Sequence, residues 1–266
     1  MKPATSTCNP SDCQPDMNRH YLTALPIYNE HTHVQSVLAK VRQTSDAILV
    51  VDDGSNDGTT ELLQQEKDIL LITHPQNRGY GAALQSAFQF AIDDQYEFLV
   101  TIDCDGQHEP QRIPMLVEAC QEADIVSGSR YLETFPKDGS PPEQRKNINL
   151  QILRDLQQLV GLQLTDAFCG FKAYRVAALE KLQITETGYA MPLELWIQAV
   201  HHELTIQEVP VPLIYLDESR SFGGVLDDGH TRLEYYQQVL RESLLAIGRT
   251  PPSLSTTANN ELDPPL

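Results

Sequence analysis

Three things are scarce in this chain, and each scarcity removes a class of function. No apolar run approaches the roughly 20 residues that a membrane span needs, so no spanning anchor is expected. Basic residues are few: 19 Lys and Arg stand against 37 Asp and Glu, a formal net charge of −18. Nucleic-acid binding needs a basic footprint, and adhesion to anionic lipid needs clustered lysines and arginines. Both are disfavoured, and any anionic substrate has to be met by local arginines. Cysteine is sparse and scattered, at Cys8, Cys13, Cys104, Cys120 and Cys169. An odd number at those spacings gives neither a disulfide framework nor a zinc site. Residues 1–20 have no apolar core and do not read as a secretory signal, so the expected location is cytoplasmic.

What remains is a chain of 266 residues with 41% hydrophobic content, enough for a sizeable core. Residues 1–18 and 249–266 are polar and proline-bearing without periodicity, and are expected to be disordered tails. Between them short apolar runs at 21–26, 47–51, 69–73, 97–102 and 124–128 read as buried strands. They alternate with helical patterns near 32–43, 58–66, 79–93 and 110–121. Strand alternating with helix predicts a mostly parallel α/β sheet covered on both faces. After about residue 130 the pattern changes to a long Pro/Gly/charged loop, helices near 147–160, 191–202 and 231–246, and a strand within 204–213. This second part, 131–248, is expected to be a smaller acceptor-side lobe packed on the 19–130 sheet within one domain.

Three predicted strand ends carry acids: "LPIYNE" (25–30), "VVDDGSNDGT" (50–59) and "TIDCDGQHEP" (101–110). In a parallel sheet, ligands bind outside the carboxyl ends of the strands. One edge therefore collects Tyr28, Glu30, Asp52, Asp53, Asp103 and Asp105. Crowded carboxylates are costly unless a cation joins them. Asp-Gly pairs are also ordinary turn chemistry, and Asp57 is placed to cap the following helix. A calcium-loop reading of Asp53, Ser55, Asp57 and Gly58 fails, because its twelfth position is Gln64 and a strand precedes it. "NRGYGAAL" (77–84) is a partial dinucleotide fingerprint whose third glycine position is Leu84, so close backbone packing is the better reading. Asp103 and Asp105 flank one residue at a strand end, and Gly106 permits the chain to break there. Magnesium or manganese takes one or two such carboxylates and fills its other positions with phosphate oxygens and water. His108 reads as a polar loop residue, since a hard cation has little need of it.

Together with "VSGSRY" (126–131), these motifs resemble family 2 glycosyltransferases in order and spacing, over about residues 20–245. "DGQHEP", "GSRY", "DAFCGFKAYR" (166–175), "PLELW" (192–196) and "ESRSFGG" (218–224) are most similar to the polyprenol-phosphate mannosyl- and glucosyltransferase branch. The resemblance implies a GT-A type fold and a nucleotide-diphosphate sugar donor, GDP- or UDP-linked. It implies that Pro26, Tyr28, Glu30 and Asp53, with Asp52 beside them, hold the nucleotide. Asp103 and Asp105 would hold a divalent Mg2+ or Mn2+ on the diphosphate, with Gln107 as a further ligand. Arg130 and Arg220 would contact phosphates, and Arg78 would face the nucleotide.

The family reaction is inverting displacement at the anomeric carbon. A polyprenyl-phosphate acceptor is largely ionised and is its own nucleophile; Arg145, Lys146 and Arg154 are candidates to meet its phosphate. A hydroxyl acceptor would need a carboxylate base, for which Asp166 and Glu194 are the candidates. "MPLELW" lacks a paired Glu-Asp and no Gln-x-x-Arg-Trp follows, which argues against processive polysaccharide synthesis. Outside the enzymes, an inactive sugar-nucleotide-binding or scaffold protein is the alternative. With a lipid acceptor, the chain would work at the cytoplasmic membrane face or through a membrane partner. The amphipathic segment 231–246 is a candidate contact, although packing on the core explains its pattern as well.

Overall fold

The first apolar run packs in alternation: Leu22 and Ala24 face one side of the sheet, Leu25 and Ile27 the other. That period of two is the strand pleat. In the computed structural model, which describes residues 20–45, 47–136, 138–214 and 224–251, the first half comprises β1 (Tyr21–Ile27), α1 (Val34–Val41), β2 (Ile48–Asp52), α2 (Thr59–Leu63), β3 (Leu70–Thr73), α3 (Tyr80–Asp93), β4 (Phe98–Thr101), α4 (Ile113–Ala119) and β5 (Ile125–Ser129). The second half adds α5 (Glu143–Val160), β6 (Lys172–Arg175), α6 (Val176–Leu179), α7 (Met191–His201), β7 (Ile206–Pro210) and α8 (Gly229–Ala246). The predicted tails lie almost wholly outside the described residues.

Among the described residues, the strands form one sheet in the order β3-β2-β1-β4-β6-β5-β7. Every pairing is parallel except those of β6, which runs antiparallel to β4 and β5. Strands β2, β4 and β5 are buried along their whole length, as strands of a parallel sheet covered on both faces are. On one face α1 presents Val34, Val37, Leu38 and Val41, a spacing of three and four residues that lines one side of a helix. On the other face lie α3, α5, α7 and α8, with Trp196 fully buried and its indole N–H donating to Ala167 O at 3.0 Å.

The segment "KAYR", not among the runs read as strands, is itself a strand, β6. Lys172 and Arg175 hide it from hydropathy. Its ladder partners, Val100 on β4 and Val126 on β5, are 73 and 47 residues away in the chain, so only the folded sheet makes it a strand. The consequence for the site is direct, because β6 delivers the preceding loop, Asp166–Phe171, to the carboxyl end of β4.

β1 lies between β2 and β4, so the chain winds outward to β3 and then returns to the far side of β1. Such a switch point opens a crevice at the strand ends. Register places Ile27 beside Asp52 and Ala24 beside Thr101, which brings the loops after β1, β2 and β4 to one edge.

Candidate active site

A cleft of about 600 Å3 occupies this edge. Its lining comes from the loops after β1, β2, β4 and β5 and from α5, α7 and α8.

At the first end stand Pro26, Tyr28, Glu30 and Asp53. Asp53 accepts from the backbone N–H of Arg78 (2.9 and 3.1 Å) and of Gly79 (2.7 Å). Its Oδ1 lies 2.6 Å from His74 Nδ1, whose other ring nitrogen meets Ser86 Oγ at 2.9 Å. One carboxylate thus ties β2 to the loop that opens α3. Gly79 is needed there, because its φ is +104° and a Cβ would sit 2.3 Å from Thr187 O. The glycines of "NRGYG" therefore serve close backbone packing. Arg78 contributes its amide to this clamp, and its side chain is not among those lining the cleft. Asp52 is fully buried, accepting from Ser55 N (3.0 Å) and Thr60 Oγ1 (2.5 Å). It shapes the turn after β2 and is not among the residues lining the cleft.

Asp103, Asp105 and Gln107 share the middle of the cleft. The chain breaks out of β4 as expected: Gly106 adopts φ +74°, and Gln107 N donates to Asp105 Oδ1 at 2.9 Å. Cys104 points into the core between the two aspartates. Tyr80, from the first turn of α3, donates its hydroxyl to Asp103 Oδ1 at 3.0 Å. The backbone of Gly170 presses on the same carboxylate so closely that a Cβ would fall 2.1 Å from Oδ2. Burial works to raise the Asp103 carboxyl, but His108, Tyr80 and Lys172 outweigh it and hold it below the usual carboxylate range. His108 is not a solvated loop residue. Its side chain is buried against the Phe171 ring, with Nε2 3.5 Å from Asp103 Oδ2.

The far end is basic and aromatic. Arg130 grips Asp166 in a two-pronged pair, Nε to Oδ2 at 2.7 Å and Nη2 to Oδ1 at 2.9 Å. Burial opposes the charge of each partner, and their mutual attraction prevails: the Arg130 guanidinium is held well above its usual range and the Asp166 carboxyl below its own. Asp166 is fully buried and also accepts from Phe168 N at 3.1 Å, so it braces Arg130 from behind and does not line the cleft. Glu194 is buried too, accepting from Thr185 N (2.8 Å), Thr185 Oγ1 (3.0 Å), Glu186 N (2.7 Å) and Gln198 Nε2 (3.1 Å). Those donors organise the loop before α7. Neither of the two carboxylates considered as a base for a hydroxyl acceptor lines the cleft.

Of the three cations considered for an acceptor phosphate, Arg145 lines the cleft while Lys146 and Arg154 are exposed on α5. Arg220 lies outside the described residues. Two cations were not anticipated. Lys172 is buried on β6, donating to Cys169 O with its ammonium 5.4 Å from the Trp196 ring centre, and burial lowers its basicity. Arg232, on α8, lines the cleft. Lys172 lies within "DAFCGFKAYR" without a role assigned to it, and Arg232 lies outside every motif above, so burial is what marks them.

A divalent cation fits the donor set. Two carboxylates and a side-chain amide oxygen are hard ligands suited to Mg2+ or Mn2+. Among the described residues no cluster of three or more His, Cys, Asp or Glu offers a complete cage.

The family profile described as Glycosyl transferase family 2 matches residues 23–183. The chain belongs to glycosyltransferase family 2. It is 30% identical over 218 residues to the undecaprenyl-phosphate mannosyltransferase of Micrococcus luteus, covering 78% of this chain and 89% of that one. It is 30% identical over 201 residues to the polyprenol monophosphomannose synthase of Mycolicibacterium smegmatis, covering 71% and 76%. Glucosyl-3-phosphoglycerate synthase of Mycobacterium tuberculosis, solved with Mn2+, uridine diphosphate and phosphoglyceric acid, superposes with a TM-score of 0.63 at 19% identity, over 88% of this chain and 80% of that one. That likeness establishes the GT-A type fold of this glycosyltransferase.

Proposed function

We propose that this family 2 glycosyltransferase moves a hexose from a nucleotide-diphosphate sugar to polyprenyl phosphate, with inversion at the anomeric carbon. The carrying observation is the fate of the carboxylates at the far end of the cleft. Asp166 and Glu194 are buried and saturated with donors, whereas Arg130 and Arg145 line the cleft. A hydroxyl acceptor needs a base there. An ionised phosphate needs only cations to seat it. The two relatives named for undecaprenyl-phosphate and polyprenol transfer support the same acceptor class.

In this reading Pro26, Tyr28, Glu30 and Asp53 take the nucleoside, and the sugar lies beyond Asp103 and Asp105. An acceptor phosphate oxygen forms the new bond to the anomeric carbon. The bond from that carbon to the donor diphosphate breaks on the opposite face, and its electron pair leaves with the nucleoside diphosphate. Held by Asp103, Asp105 and Gln107, a divalent ion would supply charge neutralisation for that leaving group. Arg130, fixed by Asp166, offers a planar pair of donors to phosphate oxygens.

Among the described residues no helix is long and apolar enough to cross a bilayer. The apolar face of α8 packs on the core through Tyr236, Val239, Leu240 and Leu244, and its outer face shows Glu234, Gln238 and Glu242.

The test is a screen of GDP- and UDP-hexoses with Mg2+ or Mn2+ and a short-chain polyprenyl phosphate. Transfer to the lipid that stops on chelation and returns with the ion is expected. Donor hydrolysis without lipid product, or transfer undiminished by chelation, would overturn the acceptor or the metal assignment respectively.

A further inference from the structure

At the nucleoside end of the cleft a buried imidazole joins the ends of β2 and β3 to α3. His74 follows β3 directly, and its backbone N–H donates to Asp52 O at 2.8 Å. Its side chain is 5% exposed and lies between Asp53 and Ser86, with Nδ1 2.6 Å from Asp53 Oδ1 and Nε2 2.9 Å from Ser86 Oγ. The order Asp, His, Ser is that of a nucleophilic triad. Here the serine is at the wrong end for that chemistry. The Ser86 hydroxyl also reaches Ala82 O at 3.1 Å, and Ser86 is not among the residues lining the cleft. Asp53 is the member that lines it, so the relay acts toward Asp53.

Hydrogen-bond capacity shows what the ring does there. A carboxylate offers about four lone-pair sites. Asp53 Oδ1 takes the nearer bond of the Arg78 N–H, at 2.9 Å, and Oδ2 takes the Gly79 N–H at 2.7 Å. With both oxygens already accepting from amides, Asp53 is the acceptor in the contact with His74 as well. A bare ring nitrogen at 2.6 Å would set lone pair against lone pair, so Nδ1 carries the hydrogen. On the other side of the ring, Ser86 either donates to Nε2 or accepts from it while donating to Ala82 O. It holds the ring in place in both arrangements. Three N–H groups thus grip the carboxylate, and about one site, on Oδ2, is left for a ligand N–H. Two of the three are backbone amides, so His74 is the donor that a substitution can remove.

We infer that His74 is a positioning residue for donor binding: its Nδ1–H, backed by Ser86, fixes the Asp53 carboxylate so that the remaining site meets an N–H of the nucleobase. This rests on placing the nucleoside at Asp53, and it is independent of the acceptor.

The experiment compares the full chain with His74→Phe, which keeps a ring and removes its nitrogens, and with His74→Asn, which returns a donor near the place of Nδ1. It measures the affinity for GDP and for UDP by calorimetry in the presence of Mg2+, the melting temperature, and the 15N NMR signals of the wild-type His74 ring with and without nucleotide. Expected in His74→Phe is a loss of roughly ten- to hundredfold in affinity for the nucleotide that the wild type binds, about the worth of a charge-assisted hydrogen bond. His74→Asn should recover most of that loss. The wild-type ring should carry its hydrogen on Nδ1, and its signals should move when the nucleotide is added. Equal affinity in His74→Phe and the wild type would overturn the inference. So would equal losses in both variants that follow early melting, because that marks a strut between β3 and α3. If neither variant folds, the NMR decides: a bare Nδ1, or ring signals that ignore the nucleotide, would overturn it. A wild type that binds neither GDP nor UDP would sink the placing of the nucleoside and this inference with it. Nucleotide affinity that depends on His74, in a chain that transfers nothing to polyprenyl phosphate, would uphold the inference and sink the acceptor assignment.

Discussion

Replacing Asp166 with Asn separates a brace from a base. Asp166 is fully buried and holds Arg130 through two hydrogen bonds of 2.7 and 2.9 Å, with a third, at 3.2 Å, from the Arg130 backbone N–H. Removing one partner of a buried ion pair costs about 3–5 kcal/mol, because the other charge is left uncompensated. The Arg130 side chain is 24% exposed, so water partly relieves it, and the lower end, about 3 kcal/mol, is expected. For a chain of this size that corresponds to a fall in Tm of about 6–12 °C. The Asp166 carboxyl is held below its usual range when folded. Its stabilisation is therefore complete above the unfolded pKa of about 4 and disappears as pH falls through the folded pKa. The gap between wild type and Asp166→Asn should stay constant from neutral pH down to about 5 and close only in stronger acid. Thermal or denaturant unfolding across pH measures it. Acceptor KM should rise in parallel, since Arg130 loses its fixed direction. The reasoning is refuted by a variant of native stability whose pH–rate profile loses its acid limb, which is the behaviour of a general base.

Glu194→Gln should keep turnover within a few-fold while unfolding about 1–3 kcal/mol earlier, because its carboxylate serves Thr185, Glu186 and Gln198; a thousandfold drop in kcat at native stability would restore it as a base. Gly170→Ala drives a methyl into Asp103, so the concentration of Mn2+ or Mg2+ needed for half-maximal transfer should rise at least tenfold with the fold intact by circular dichroism. An unchanged metal requirement would remove Asp103 from the ion. Asp53→Ala orphans the amides of Arg78 and Gly79, and should abolish nucleotide binding by calorimetry with a stability loss of about 1–3 kcal/mol. Asp105→Ala should retain metal-free nucleotide binding, and loss of both would mean that the two aspartates do not act at separate ends of the donor.

The sequence alone determined the alternation of strands and helices, the parallel sheet, and the edge that carries the chemistry. These follow from local facts: buried strands read as apolar runs, and a polar turn after such a run must lie at a strand end. Asp103, Asp105 and the break at Gly106 were legible at a strand end for the same reason, whereas Arg130 was named only through the resemblance to family 2 glycosyltransferases. Tertiary structure decided which charged groups are free to act. Asp52, Asp166 and Glu194 look in sequence like any site acid, and each is spent on donors that the fold brings to it. Asp166 meets Arg130 across 36 residues, and Glu194 gathers the amides of the loop ahead of α7. β6 became a strand only because β4 and β5 came to flank it. Arg232 joined the cleft only because α8 docks on α5 through Gly229 and Gln144. Periodicity reports the environment of a segment, whereas the availability of a carboxylate or a guanidinium depends on partners that are remote in the chain and adjacent only after folding.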